Sequence, residues 1–229
     1  MAIFIPGVAV SQASGRVGGT IFSRNRGGAY MRNGSKPTRV TTPAAQGIKA
    51  ITAAQSQAWA GLTSAVREQW IEWAAQNPVI NRLGQSRTLS GHQAFVQINA
   101  RLVYAAFSAL TSPPIGSAPA AIVPGAVTFD DSPAALTVAF APSPAPTGVA
   151  VQCFAYLADS PGVSYVRNRL ALVTTSAAAA TTPLDILADV TERFGTPQVG
   201  QTLHVGMRAL DSTSGLVSSI FYTSALLST

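Results

Sequence analysis

Few residues in this sequence have side chains suited to catalysis. The chain of 229 residues holds one Cys, two His and nine Asp or Glu, against fifteen Lys or Arg. Cys153 lies in an alternating apolar run, which favours a buried small side chain over a nucleophile. His92 and His204 are far apart and lack metal-ligand spacing, and no Ser, His and Asp set is recognisable. We therefore expect a protein that is not an enzyme, with no catalytic residues and no cofactor.

One group of acidic residues has the spacing of a candidate cation site. Asp185 and Asp189 are four residues apart, and Glu192 follows them. The Asp/Asn-Gly loop of a calcium motif is missing, so a solvated face is the expected role of these residues. The single Cys153 also excludes an intramolecular disulfide and a Cys-rich zinc site. We expect no metal.

The residues with the clearest potential for binding are basic and lie near the N-terminus. Arg outnumbers Lys there, and its planar guanidinium pairs bidentately with carboxylate or phosphate. Six basic residues and one aromatic residue in this Gly-rich stretch form a predicted protein-binding assembly arm: Arg16, Arg24, Arg26, Tyr30, Arg32, Lys36 and Arg39. The same composition, with Phe22 and Tyr30 as stacking residues, also suits nucleic acid, and a merely solvated arm is a third reading. The density of basic residues is low for a nucleic-acid-binding tail, so a protein partner is preferred.

Charge divides the chain into two parts with different expected partners. Residues 1–111 carry a net charge of +9 and residues 112–229 a net charge of −3, and no Asp or Glu precedes Glu68. Only 10% of all residues are charged, against about 25% in an average soluble domain. Such a surface suits a protein packed against neighbours. No signal peptide or membrane-spanning run is visible, so we expect no membrane partner.

The segment that carries these basic residues is predicted to be extended. Residues 1–41 are too rich in Gly for a helix. Thr20–Ser23 and Ala29–Met31 are β-compatible, and the turn residues 25–28 between them predict a hairpin. An isolated hairpin is marginal in water. The arm is therefore expected to gain its order from a partner surface.

Residues 42–110 have the periodicity of a small three-helix domain. Thr42 can cap a first helix with Pro43 at its first position, and Thr63 or Ser64 can cap a second helix that ends at Asn77. Ser90 can cap a third helix, which we expect to continue to Leu110. The apolar faces of these helices can form a core together with Trp59, Trp70 and Trp73. This role is preferred over that of an exposed aromatic surface that stacks on a sugar.

The rest of the chain changes from helical to alternating periodicity. Residues 111–125 are rich in Pro, Ala and Ser and are typical of a linker. Residues 126–229 contain seven predicted strands, with turn residues between them: 126–129, 136–140, 149–156, 165–173, 184–188, 202–210 and 216–226. Seven short strands in about 100 residues are typical of an immunoglobulin-like sandwich. The predicted fold is α+β and multidomain, ending in an antiparallel β-sandwich.

Two resemblances extend this interpretation. The passage HVGMRALDSTSGLVSS resembles the last strands of fibronectin type III or Ig-like modules. The motifs SGRVGGTIFSRNRGGAYMR, KPTRVTTPAAQ, QAWAGLTSAVREQWIEWAAQ and LSGHQAFVQINARL resemble a family of phage and prophage virion proteins with a Gly/Arg arm, Trp-rich helices and a C-terminal sandwich. The resemblance implies a place in a phage particle rather than an activity.

The expected function is therefore that of a structural virion protein assembled in the host cytoplasm. We favour a capsid decoration or cement protein that is anchored by its arm and helices and presents the sandwich outward. The expected partners are the major capsid protein or other virion subunits, with further copies of the chain in the particle, and nucleic acid is not expected. A tail or neck component, or a host-surface adhesin that uses the Ig-like domain, is the alternative.

Overall fold

The computed structural model describes residues 2–3, 5, 12–25, 27–34, 43–81, 83–131, 134–163 and 166–228. The fold is α+β: a small N-terminal antiparallel sheet, a helical region, and C-terminal antiparallel sheets. Two compact units are present, one of Met1–Ala100 with Thr111–Pro113 and one of Arg101–Leu110 with Pro114–Thr229. The predicted segment boundaries at residues 41, 110 and 125 stay predictions.

The first unit begins with a four-stranded sheet around the predicted hairpin. Its strands are β1 (Ala2–Ile3), β2 (Gly15–Val17), β3 (Thr20–Asn25) and β4 (Gly28–Asn33), in the antiparallel order β1-β4-β3-β2. The hairpin prediction is confirmed, and both of its strands are longer than expected. Asn25 pairs with Gly28, and the Asn25 Oδ1 accepts a hydrogen bond from the Gly27 amide at 2.8 Å. Gly28 has φ of +108°, a conformation that glycine adopts without strain.

Helices and a short hairpin follow this sheet. They are α1 (Pro43–Ala60), α2 (Ser64–Gln76), β5 (Val79–Ile80), β6 (Ser86–Arg87) and α3 (Gly91–Tyr104), and the residues of α3 from Arg101 onward belong to the second unit. The caps at Thr63 and Ser90 are confirmed. Thr63 Oγ1 accepts from the Val66 amide, while Ser90 and Gln93 exchange hydrogen bonds at 3.1 and 3.2 Å. The predicted cap Thr42 lies outside the described residues.

Helix α3 ends six residues earlier than the sequence predicts. Ala106 has φ of +61°, and the Phe107 amide donates to the Leu102 carbonyl at 2.8 Å. This left-handed residue closes the helix in the manner that glycine usually provides. Because the position carries Ala, the sequence gives no stop signal there.

Trp70 is part of the core of the helical region, as predicted, whereas Trp59 and Trp73 are half-buried and pack at its side. Trp70 is completely buried, and its indole Nε1 donates to the Thr111 carbonyl at 2.8 Å. Its ring meets Phe95 edge-on at 5.3 Å between centroids and Trp73 at 6.0 Å. Trp59 packs on Phe95 at 5.5 Å. Aromatic pairs in these arrangements add to the stabilisation from burial alone.

The second unit contains two antiparallel sheets and one helix. Its elements are β7 (Val123–Asp131), β8 (Ala134–Ala141), β9 (Val149–Ala158), β10 (Ala171–Ala178), β11 (Leu184–Asp185), α4 (Leu187–Phe194), β12 (Thr202–Asp211) and β13 (Phe221–Leu226). The sheet orders are β10-β9-β12-β13 and β11-β8-β7. Alternate residues of both sheets enter one apolar core, including Leu136 and Val138 from β8 and Val205 and Met207 from β12.

Three strand predictions in this unit need correction. Residues 167–169 form a turn, so the strand predicted at 165–173 begins only at Ala171. The strand predicted at 184–188 stops after Asp185 and gives way to α4. The Ile186 carbonyl accepts from the Val190 amide at 2.9 Å at the start of this helix, and both side chains are buried. The last strand begins at Phe221 rather than Leu216, because the described residues 216–220 pair only through an isolated bridge between Val217 and Leu210. Among the described helices, none combines the length and apolarity needed to cross a bilayer.

Candidate functional site

The strands of the N-terminal sheet position four of the seven residues predicted for the arm. Arg16 lies on β2, Arg24 on β3, and Tyr30 and Arg32 lie on β4. The remaining three residues lie outside the described part of the chain: Arg26, Lys36 and Arg39. The described basic residues are therefore carried by a sheet rather than by an extended arm.

The strand register brings Arg16 and Arg32 to one face of this sheet. Both residues pair with Ile21, so they flank it in one row across β2, β3 and β4. Tyr30 lies on the same face one row further along, because residues two apart on a strand point the same way. Arg24 is an odd number of residues from Ile21 and lies on the opposite face. The sheet thus gathers Arg16, Tyr30 and Arg32 and separates Arg24 from them.

The side chains of this sheet are poorly covered. All described residues of β2, β3 and β4 are half-buried or exposed, and Arg16, Arg24 and Arg32 are exposed. Arg16 Nε donates to the Gly18 carbonyl at 2.8 Å, a contact that leaves the rest of its guanidinium available. A small sheet needs one well-buried apolar face for stability of its own. These strands lack such a face within their own unit.

The turn of the β3–β4 hairpin lies beside the short β5–β6 hairpin. A Cβ atom built on Gly27 would lie 2.9 Å from the Arg87 Nη1. An open depression of about 520 Å³ is lined by Arg24, Gly28 and Gln85, together with residues that precede β2. Arg87 is therefore a further basic residue at this end of the sheet. The sequence analysis missed it because no local pattern links residue 87 to the hairpin.

Asp185 and His92, which the sequence analysis considered as candidate metal ligands, form structural contacts. Asp185 accepts a hydrogen bond from the Leu187 amide at 3.0 Å, at the start of α4. Within the described residues, no three His, Cys, Asp or Glu side chains group as metal ligands. His92 Nε2 lies 3.1 Å from the Ser56 hydroxyl, and its ring meets Trp59 edge-on. These contacts account for His92 as a packing residue.

Cys153 is buried in the core of the second unit, as predicted. Burial, together with the negative charge of Asp189, raises the pKa of Cys153 to about 12. At pH 8 only about one thiol in ten thousand is then ionised, and the thiolate is the reactive form. We expect the native chain to resist a thiol reagent such as Ellman's reagent and to react with one equivalent in denaturant. Rapid labelling of the folded chain would contradict this burial.

Comparison of the chain with protein-family models, with curated proteins and with solved structures finds no match. The candidate site therefore depends on the geometry of the sheet alone. It is a basic, incompletely covered surface, and its chemistry is that of binding: exposed guanidinium groups on both faces and half-buried apolar side chains between them.

Proposed function

We propose that this chain is a structural protein of a bacteriophage particle. It binds neighbouring virion subunits through its N-terminal sheet and helices, and we favour a capsid decoration or cement role over a tail or neck position. The C-terminal unit is proposed to be an Ig-like sandwich that faces outward. The single apolar core shared by its two antiparallel sheets supports that part of the proposal.

The observation that carries the proposal is the incomplete burial of the N-terminal sheet. None of the described side chains of β2, β3 and β4 is buried, although Ile21, Phe22, Tyr30 and Met31 are available to form a core. Each residue ordered in a sheet loses about 1–2 kcal/mol of backbone entropy at 25 °C, which burial must offset. A partner surface on the Arg16–Arg32 face, which covers Ile21 and Tyr30, supplies part of the missing burial.

Charge favours an acidic protein surface as this partner. The first 67 residues contain eight Lys or Arg and no Asp or Glu, so the sheet has no carboxylates of its own. Guanidinium groups at Arg16 and Arg32 can pair bidentately with carboxylates of a neighbouring subunit. The apolar Ile21 between them can pack on that subunit at the same time.

Salt and charge substitution should both release the chain from particles. The Debye length falls from about 10 Å at 0.1 M to about 3 Å at 1 M salt, and an exposed ion pair contributes at most about 1 kcal/mol. We expect wild-type retention to fall along a salt series, and R16Q/R32Q to dissociate at lower salt, measured by blotting pelleted particles.

The matched control for this experiment is R24Q combined with R67Q. It removes the same charge, but Arg24 lies on the opposite face and Arg67 donates to the carbonyls of Trp59 and Ala60 within the helices. The control should follow the wild type more closely than R16Q/R32Q does. Equal retention of all three proteins at every salt concentration would eliminate docking through the Arg16–Arg32 face.

A further inference from the structure

A second binding feature lies on β12, on the face that points away from the apolar core. His204 is flanked by Tyr156 of β9 and Ser224 of β13 in the strand register. It is only 9% exposed, and within the described residues its Nε2 has no hydrogen-bond partner. Buried polar atoms in folded proteins are nearly always satisfied. His204 therefore has one ring nitrogen that no described group satisfies.

Two arginines of the turn that precedes β10 lie over the same face. The Arg167 guanidinium lies 4.7 Å from the centroid of the Tyr222 ring, and Arg169 lies 5.6 Å from that of Tyr156. Arg169 Nη1 also donates to the Tyr156 hydroxyl at 2.9 Å. Neither arginine forms an ion pair with any described carboxylate. The contact with the ring restrains each guanidinium, and no hydrogen bond from Arg167 to a described residue competes for its N–H donors.

The turn and the two strands border a small open pocket. It has a volume of about 210 Å³ and is lined by Arg167, His204, Tyr222 and Ser224 together with neighbouring residues of the turn and strands. Sites for drug-sized ligands usually measure about 300–1,000 Å³. This pocket therefore suits one small polar group. Its described lining contains a cation, an imidazole and hydroxyls, and no carboxylate is among these residues.

We propose that this pocket binds the carboxylate of an Asp or Glu side chain from a partner protein. The Arg167 guanidinium, restrained 4.7 Å from the Tyr222 centroid, can offer two parallel donors, which is the arrangement that a planar carboxylate accepts. The Ser224 hydroxyl can donate to the same group. The pocket lies in the second unit, so this contact is separate from docking by the N-terminal sheet.

The surroundings favour a protein over a sugar as the source of the carboxylate. A Cβ on Gly206 would lie 3.2 Å from the Tyr222 ring, and Arg167 lies over that ring as well, so part of the ring surface that a sugar would stack on is already in contact with the protein. Beside the pocket, β13 is an edge strand of its sheet and exposes Phe221 and Leu226. Edge strands and exposed apolar side chains are common contact points for protein partners.

The test is a titration of the full chain with N-acetylglutamate amide, followed by two-dimensional NMR. We expect saturable shifts confined to the pocket residues, with a dissociation constant of about 1 mM or weaker for so small a probe. The R167Q variant should weaken binding at least about tenfold, which corresponds to a loss of about 1.4 kcal/mol. The R193Q variant removes the same charge outside the pocket and should bind as the wild type does.

The neutral probe N-acetylglutamine amide should give no saturable shifts, and D-glucuronate should bind more weakly than the glutamate probe. If the R167Q spectrum matches that of the wild type for residues outside the pocket, the fold of the variant is intact. The proposal is overturned if the glutamate probe does not saturate, if R167Q binds as tightly as R193Q, or if glucuronate binds more tightly, which would assign the pocket to acidic sugars.

Discussion

Trp70→Ala is expected to lower the free energy of unfolding of the first unit by about 3–5 kcal/mol, the usual loss for a large aromatic side chain removed from a core. Trp70 is completely buried, contacts Phe95 and Trp73, and donates to the Thr111 carbonyl. Its loss leaves a cavity and a carbonyl without its donor. Because folded proteins are usually stable by only about 5–15 kcal/mol, this loss is a large fraction of the total free energy of unfolding.

The measurement is urea unfolding followed by intrinsic Trp fluorescence. All three Trp residues lie on α1 and α2, so the signal reports on the first unit alone. The control is Trp73→Ala. Because Trp73 is only half-buried, this substitution should lower the free energy of unfolding by less than Trp70→Ala does. Equal losses in the two variants would contradict the central place of Trp70 in this core.

Gly91→Ala is expected to destabilise the chain by about 1–3 kcal/mol, as overpacking usually does. A Cβ on Gly91 would lie 2.9 Å from the Ile71 backbone nitrogen and 3.1 Å from its Cα. Relief of that contact requires α2 and α3 to move apart, since backbone atoms cannot rotate away. The small residue at the start of α3 therefore sets the close approach of these two helices.

Gly47→Ala is the matched control and should change stability in the opposite direction. Gly47 lies inside α1, and a Cβ built there meets no atom within 4 Å. Replacing such a helical glycine with alanine should stabilise by up to about 1 kcal/mol. Urea unfolding of both variants by Trp fluorescence gives the comparison. Stabilisation by Gly91→Ala would show that the two helices do not pack closely at this residue.

Local signals account for what the sequence predicted correctly. The caps at Thr63 and Ser90 bond to amides three residues away, and the hairpin between Asn25 and Gly28 depends on its own turn residues. Alternation placed Cys153 in the core because strand neighbours point to opposite faces. Each of these features is decided by residues close together in the chain.

The features that the sequence did not predict depend on long-range contacts or on unusual backbone conformations. The shared face of Arg16 and Arg32 requires β2 to pair with β3, and the three-residue β2 has no strand signal of its own. Helix α3 ends at Tyr104, just before a left-handed Ala106 that no local rule indicates. The contact of Arg167 with Tyr222 joins a turn to a distant strand, so only the folded chain brings the pocket together.

The central claim, that this chain is a structural subunit of a phage particle, is tested most directly by quantitative mass spectrometry of purified particles. The particles should come from the genome that encodes this sequence and be purified through a density gradient at low salt. The account predicts that this chain co-migrates with the major capsid protein at a fixed ratio across the particle peak. Intact particles that lack this chain, while it is found in the host lysate, would contradict the account.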